Sequence, residues 1–189
     1  MHKLHNMFAR LGLVLPLVLL VPTLVFAGGG KEEPAVQQSN GRSSVQVDEN
    51  WGFSWRFIED SIEFTVSAPT TGWIGIGFDP SRMMKDADYI LAYVDNGTVY
   101  ARDDWGTGNT SHGPDTGQGG TDNVTAISGA ESDGVTTVTF SVPLDSGDRY
   151  DKTFAPGKSH TVLLAYGAEG ADNFTGMHRK RTSIEVVLE

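Results

Sequence analysis

The chain has 189 residues, no cysteine and a formal net charge of −10, a length that fits one ordinary domain after processing. Without cysteine there are no disulfides, no thiolate zinc sites, no C-x-x-C-H haem attachment and no lipobox. A surface this acidic repels phosphate backbones, so nucleic acid is not expected as a partner.

Residues 1–27 read as a secretory signal. Lys3 and Arg10 precede a run of apolar residues at 11–26, and Val25-Phe26-Ala27 offers small residues at the positions a signal peptidase reads. Cleavage after Ala27 removes two positive charges and no acid, taking the formal charge from −10 to −12. The alternative is a retained anchor, but the run falls short of a span of about 20 residues and contains Pro16 and Pro22. The mature form is therefore expected to be exported, periplasmic or extracellular, with no membrane span. The C-terminal SIEVVLE carries no lipid-anchor signal. Residues 28–50 are polar, glycine-rich and without period, and read as a flexible linker.

From Trp51 the pattern changes to short runs with a period of two. In 61–68, Ile62, Phe64, Val66 and Ala68 alternate with Ser61, Glu63, Thr65 and Ser67, as a half-buried strand requires. Further strands are expected at 52–58, 72–78, 88–94, 98–103, 123–130, 134–142, 160–167 and 182–188. Turn signals separate them, and Asp95-Asn96-Gly97 between two such runs predicts a hairpin. No later stretch holds a helical period, so the domain at 51–189 is expected to be an all-β, immunoglobulin-like sandwich of about nine to eleven strands. Residues 104–121 are rich in Gly, Asp and Thr and read as a long loop. The strands at 88–94 and 160–166 are apolar on both faces. A sandwich strand normally shows one face to water, so a loop, an edge contact or an apolar ligand is expected to cover the second.

The order Trp55, Ile62-x-Phe64-x-Val66, Gly72-Trp73-x-Gly75-x-Gly77-Phe78, Met84-x-x-Ala87-Asp88 resembles the DOMON family. So do Gly134 to Leu144, Val162 to Gly167 and His178 ahead of the last strand. Each motif is loose, and their order and spacing over 51–188 carry the resemblance. It implies a β-sandwich that either carries haem b and passes electrons or binds a sugar or other small ligand. In the haem-binding members a Met after the Gly-Trp strand and a His before the last strand ligate iron, which implies Met84 and His178 here. Arg179-Lys180-Arg181 stands where many relatives are glycine-rich.

Met/His ligation leaves no open position on the iron, so electron transfer is implied rather than activation, and the soft sulfur raises the potential. The haem is non-covalent, for want of cysteine. Trp73, Phe78, Tyr89, Tyr166 and Phe174 are the candidates for gripping it. Met83 rivals Met84, and Met177 adjoins His178; on a strand a one-residue slip reverses the face. His160, in line with Val162 and Leu164, reads as structural or rim-exposed, and His112 has no evident partner. No Ser/His/Asp or paired-carboxylate arrangement stands out, so an electron carrier or binding module is expected rather than an enzyme. Asp103-Asp104 and Asp115 with Asp122 hint at calcium without the spacing of a regular calcium loop. Sequons at Asn96, Asn109, Asn123 and Asn173 matter only in a glycosylating pathway. The redox partner is not indicated. Cu(I) handling by Met and His is a third reading, behind haem and a sugar or other small ligand.

Overall fold

The computed structural model describes residues 34–189; the signal expected at 1–27 and the start of the linker lie outside the described residues. The described chain folds into twelve strands and one helical turn. One sheet contains β1 (Gln37–Ser39), β2 (Arg42–Asp48), β3 (Trp51–Ile58), β4 (Ser61–Ala68), β9 (Thr125–Ser132) and β10 (Val135–Pro143), in the order β1-β2-β3-β4-β10-β9. The second contains β5 (Ile74–Phe78), β6 (Asp88–Asp95), β7 (Thr98–Gly108), β8 (Ser111–Pro114), β11 (Lys158–Tyr166) and β12 (Lys180–Leu188), in the order β12-β11-β5-β6-β7-β8. All pairings are antiparallel. The all-β sandwich is as expected, with more strands than the nine to eleven read from the sequence.

Two local readings are corrected. Residues 37–48 are not linker: they form β1 and β2, and Val45, 1% exposed, enters the core. Its alternation with polar Ser44 and Gln46 is too short to stand out beside the glycine-rich stretch before it. The 104–121 segment is not one loop either, since it completes β7, forms β8 and ends in the turn α1 (Asp115–Gln118). Its glycines let the strands lie close to neighbouring backbone: a Cβ on Gly106 would strike the carbonyl of Met84. The predicted hairpin is present, with Asn96 and Gly97 both at positive φ between β6 and β7.

The core lies between the sheets. Phe53, Trp55, Ile62, Phe64, Val138 and Phe140 from the first sheet meet Ile76, Phe78, Ile90, Val162 and Leu164 from the second. Phe64 sits at its centre, with ring contacts to Phe53, Phe78, Phe140 and Phe154. The C-terminus closes one side: the Glu189 carbonyl accepts from Ser43 Oγ at 2.7 Å and Trp55 Nε1 at 3.2 Å.

The two outward faces differ in chemistry. The first sheet shows water a polar ladder. Thr65 meets Thr139 at 2.9 Å, Ser67 meets Thr137 at 2.8 Å, and Glu63 is held between Arg42 and Arg56. The second sheet carries Tyr89, Leu91, Tyr93, Leu163 and Ala165 in the same outward positions.

Candidate functional site

The outward face of the second sheet is built by period-two alternation on strands that are apolar throughout. In β6, Ile90, Ala92 and Val94 go to the inter-sheet core, which sends Tyr89, Leu91 and Tyr93 outward. In β11, Val162, Leu164 and Tyr166 go inward, while Leu163 and Ala165 turn outward. Between them β5 presents Gly75 and Gly77, in register with Leu91 and Tyr89 on one side and with Ala165 and Leu163 on the other. These glycines keep the middle of the face low. A Cβ on Gly77 would run into the Tyr89 ring, and one on Gly75 would stand 3.6 Å from Trp73.

Trp73, Ala87, Tyr89 and Leu91 form a second buried cluster here, with Met84, Tyr93, Leu163, Ala165, Ala171 and Phe174 packed against it. Phe174 meets Tyr93 edge-on at 4.9 Å, and the Arg102 guanidinium lies over the Phe174 ring, 4.5 Å from its centre. The Tyr89 hydroxyl is buried with no hydrogen-bond partner, and burial raises its pKa above the ordinary phenol value.

Of the residues singled out from the sequence, Trp73, Tyr89, Phe174 and Met84 share this face. Phe78 and Tyr166 do not. Phe78 is wholly buried between the sheets against Phe64 and Phe154, and Tyr166 packs edge-on against Trp51 in the same core. The reason is parity: each falls in phase with the inward set of its strand, a face that aromatic character alone does not reveal. Met83 and Met84 separate as well. Met83 takes a positive φ of 56° and is 48% exposed, whereas Met84 is half-buried against the outward cluster. His178 is half-buried, while its neighbour Met177 is 88% exposed.

The loops bearing Met84 and His178 leave opposite ends of the face. Met84 follows β5 at the end where Phe78 pairs with Val162; the segment 167–179 follows β11 at the end where Ile74 pairs with Tyr166. Four residues of strand separate the two ends, about 13 Å at the usual rise. The Met84 loop is braced from below, Asp86 N–H donating to Gly106 O and Gly106 N–H to Ala87 O, both at 2.8 Å. The other loop is fixed by Arg179 N–H to Tyr166 O at 2.8 Å.

His112 has a partner the sequence did not suggest. Its Nδ1 lies 2.5 Å from Asp104 Oδ2, its ring rests 5.6 Å from that of Tyr89, and Arg102 forks onto the same carboxylate. Burial alone would raise Asp104, but the bonds from His112 and Arg102 outweigh it and hold the carboxyl below its ordinary value. Asp104 and Tyr89 are register partners across β7 and β6, and only the β7–β8 pairing brings position 112 back to them. His160 is structural, 1% exposed, with Nδ1 2.8 Å from Asp79 Oδ2 and its ring against Phe154 and Phe78.

Donor chemistry and shape fit a flat apolar cofactor with iron at its centre: the loops at opposite ends of an aromatic, glycine-floored face carry one thioether and one imidazole. Among the described residues no helix is long and apolar enough to cross a membrane.

The DOMON domain model matches residues 47–167. A 60-residue segment, 32% of this chain, is 30% identical to MOXD1 homolog 2 of Drosophila melanogaster, of which it spans 8%. The fold resembles the cytochrome b domain of pyranose dehydrogenase from Coprinopsis cinerea at 15% identity and TM-score 0.53, covering 82% of this chain and 80% of that one. It also resembles the cytochrome domain of Myriococcum thermophilum cellobiose dehydrogenase at 13% identity and TM-score 0.58, covering 85% and 90%.

Proposed function

Because this chain belongs to the DOMON domain family, we propose that it is an exported b-type haem domain that passes single electrons, with Met84 and His178 as axial ligands. The observation that carries the reading is the contrast between the two outward faces: one is a solvated polar ladder, the other a buried aromatic cluster lying between the Met84 and His178 loops. Met84 and His178 would hold the haem, which would supply a one-electron couple.

The chain's own residues have three tasks. Trp73, Leu91 and Leu163 exclude water from the middle of the face, where low polarity favours a non-covalent porphyrin. The backbone bonds of Gly106 with Asp86 and Ala87 hold the Met84 loop, so its thioether needs little ordering on binding. Asp104, paired with Arg102 and His112, keeps its charge at the edge of the face beside Tyr89. The electron donor or acceptor is a partner protein of unknown identity.

The deciding measurement is an absorption spectrum of the purified chain after addition of haem. A sharp Soret band with split reduced bands is expected, and His178→Ala should abolish the low-spin spectrum. A flat visible spectrum would sink the proposal. Sugar binding detected by calorimetry in a chain with that flat spectrum would favour a non-redox DOMON module instead. Export belongs to the same proposal, and N-terminal sequencing of the secreted protein should begin at Gly28.

A further inference from the structure

Four aspartates converge at one end of the sandwich, away from the outward aromatic face. Asp88 opens β6 and Asp103 lies in β7, one diagonal step away, both on the side that elsewhere carries apolar core residues. Asp115 comes from the turn after β8, and Asp151 from the segment between β10 and β11. Asp88, Asp103 and Asp115 are 4%, 3% and 0% exposed. Each of Asp88, Asp103 and Asp151 has a carboxylate oxygen within 4.8 Å of one on the other two.

Part of this group is satisfied by the protein. Asp88 Oδ2 accepts from Lys152 N–H at 2.8 Å, and Asp103 Oδ2 from Asn123 N–H at 3.0 Å. With its amide turned, Asn123 donates to Asp151 Oδ2 at 3.2 Å. The remainder is not satisfied: Asp103 Oδ1, Asp151 Oδ1 and both oxygens of Asp115 are buried with no hydrogen-bond partner. Asp115 is the further sign of a ligand, because a fully buried carboxyl that no donor reaches, and that faces only the Asp151 carboxyl, is costly unless something positive meets it. Its charge bears on Asp88 and Asp103. No ion pair to these four aspartates occurs among the described residues. Lys152 bonds the group through its backbone, and its ammonium, lying over the Trp105 ring at 4.7 Å, acts on Asp88 only at a distance.

We propose that Asp88, Asp103, Asp115 and Asp151 form a structural calcium site that ties β6 and β7 to the loops at 115–124 and 145–153. The donors are all hard oxygens, with no thiolate or imidazole, which excludes the softer transition metals. Two oxygens on opposite sides of Ca²⁺ at about 2.4 Å stand about 4.8 Å apart, a limit within which oxygens of Asp88, Asp103 and Asp151 all fall, and calcium accepts irregular sets of six to eight oxygens, where Mg²⁺ requires a near-ideal octahedron. The site is independent of haem.

The test is thermal unfolding of the full chain after chelation and dialysis, with and without about 1 mM CaCl₂, together with terbium luminescence sensitised by Trp105, the register partner of Asp88. At a calcium concentration about 100-fold above Kd, the midpoint should rise by about 5–10 °C. Terbium emission should appear and be displaced by calcium. Asp103→Asn and Asp115→Asn should each remove the calcium-dependent rise, whereas Asp133→Asn, in an exposed turn, should keep it. The proposal is overturned if wild-type protein shows neither a calcium-dependent rise nor calcium-displaceable terbium emission. It is equally overturned if Asp115→Asn keeps the full rise, if Asp133→Asn loses it, or if Mg²⁺ matches calcium. Should either aspartate variant fail to fold, the wild-type terbium competition alone decides.

Discussion

At the scale of single residues, the adjacent methionines have different environments and should behave differently. Met83→Leu changes a half-exposed side chain and should leave the spectrum of the haem-loaded protein unaltered. Met84→His should keep a low-spin spectrum and lower the midpoint potential in a redox titration, because a nitrogen ligand favours the ferrous state less than a thioether does. The buried aspartates give a second residue-level expectation, for metal-free protein. Burial, with mutual repulsion, raises Asp88 to about 8 and Asp103 to about 9, against an ordinary value of 3.8. The folded state then binds more protons than the unfolded state between about pH 4 and pH 9, so stability falls as pH rises through that window. In chelated protein the melting temperature should therefore rise when pH is lowered from 8 to 5, and Asp103→Asn should flatten that slope.

At the scale of elements, β5 shows how two outward glycines shape a face. Gly77→Val places a branched side chain where the Tyr89 ring lies, so the ring must move. The cost should be about 1–3 kcal/mol, seen as a lower melting temperature together with a weaker Soret band on titration with haem. In β4 the alternation sends Phe64 to the centre of the core, wholly buried with four aromatic neighbours. Phe64→Ala should cost about 3–5 kcal/mol without a specific effect on the outward face. That difference separates core strands from site strands.

At the scale of the whole molecule, the domain begins before the glycine-poor aromatic run at Trp51. β2 covers β3, and Ser43 joins the C-terminal Glu189 carbonyl. A chain starting at residue 51 should lose that cover, expose the edge of β3 and aggregate, whereas one starting at residue 34 should stay monodisperse on size exclusion. The alternation at 61–68 and the hairpin at Asp95-Asn96-Gly97 were legible because period and turn chemistry are local. β1 and β2 were not, because three and seven residues of mixed polarity become strands only when β3 supplies hydrogen bonds to β2 and β2 in turn to β1.

The sequence by itself determined the all-β class, the two-sided apolar strands β6 and β11, and the candidate pair Met84 and His178 through its resemblance to a family. The class and the apolar strands follow from residue type and spacing; the pair is what the resemblance implies. Only the tertiary structure decided which aromatics share a face, sending Phe78 and Tyr166 to the core and leaving Trp73, Tyr89 and Phe174 outside, since the face depends on each strand's phase against its neighbours. Only the structure paired His112 with Asp104, and gathered Asp88, Asp103, Asp115 and Asp151 from four separate segments. Contacts between distant parts of the chain leave no period in the sequence, because they are set by how the sheets fold over one another.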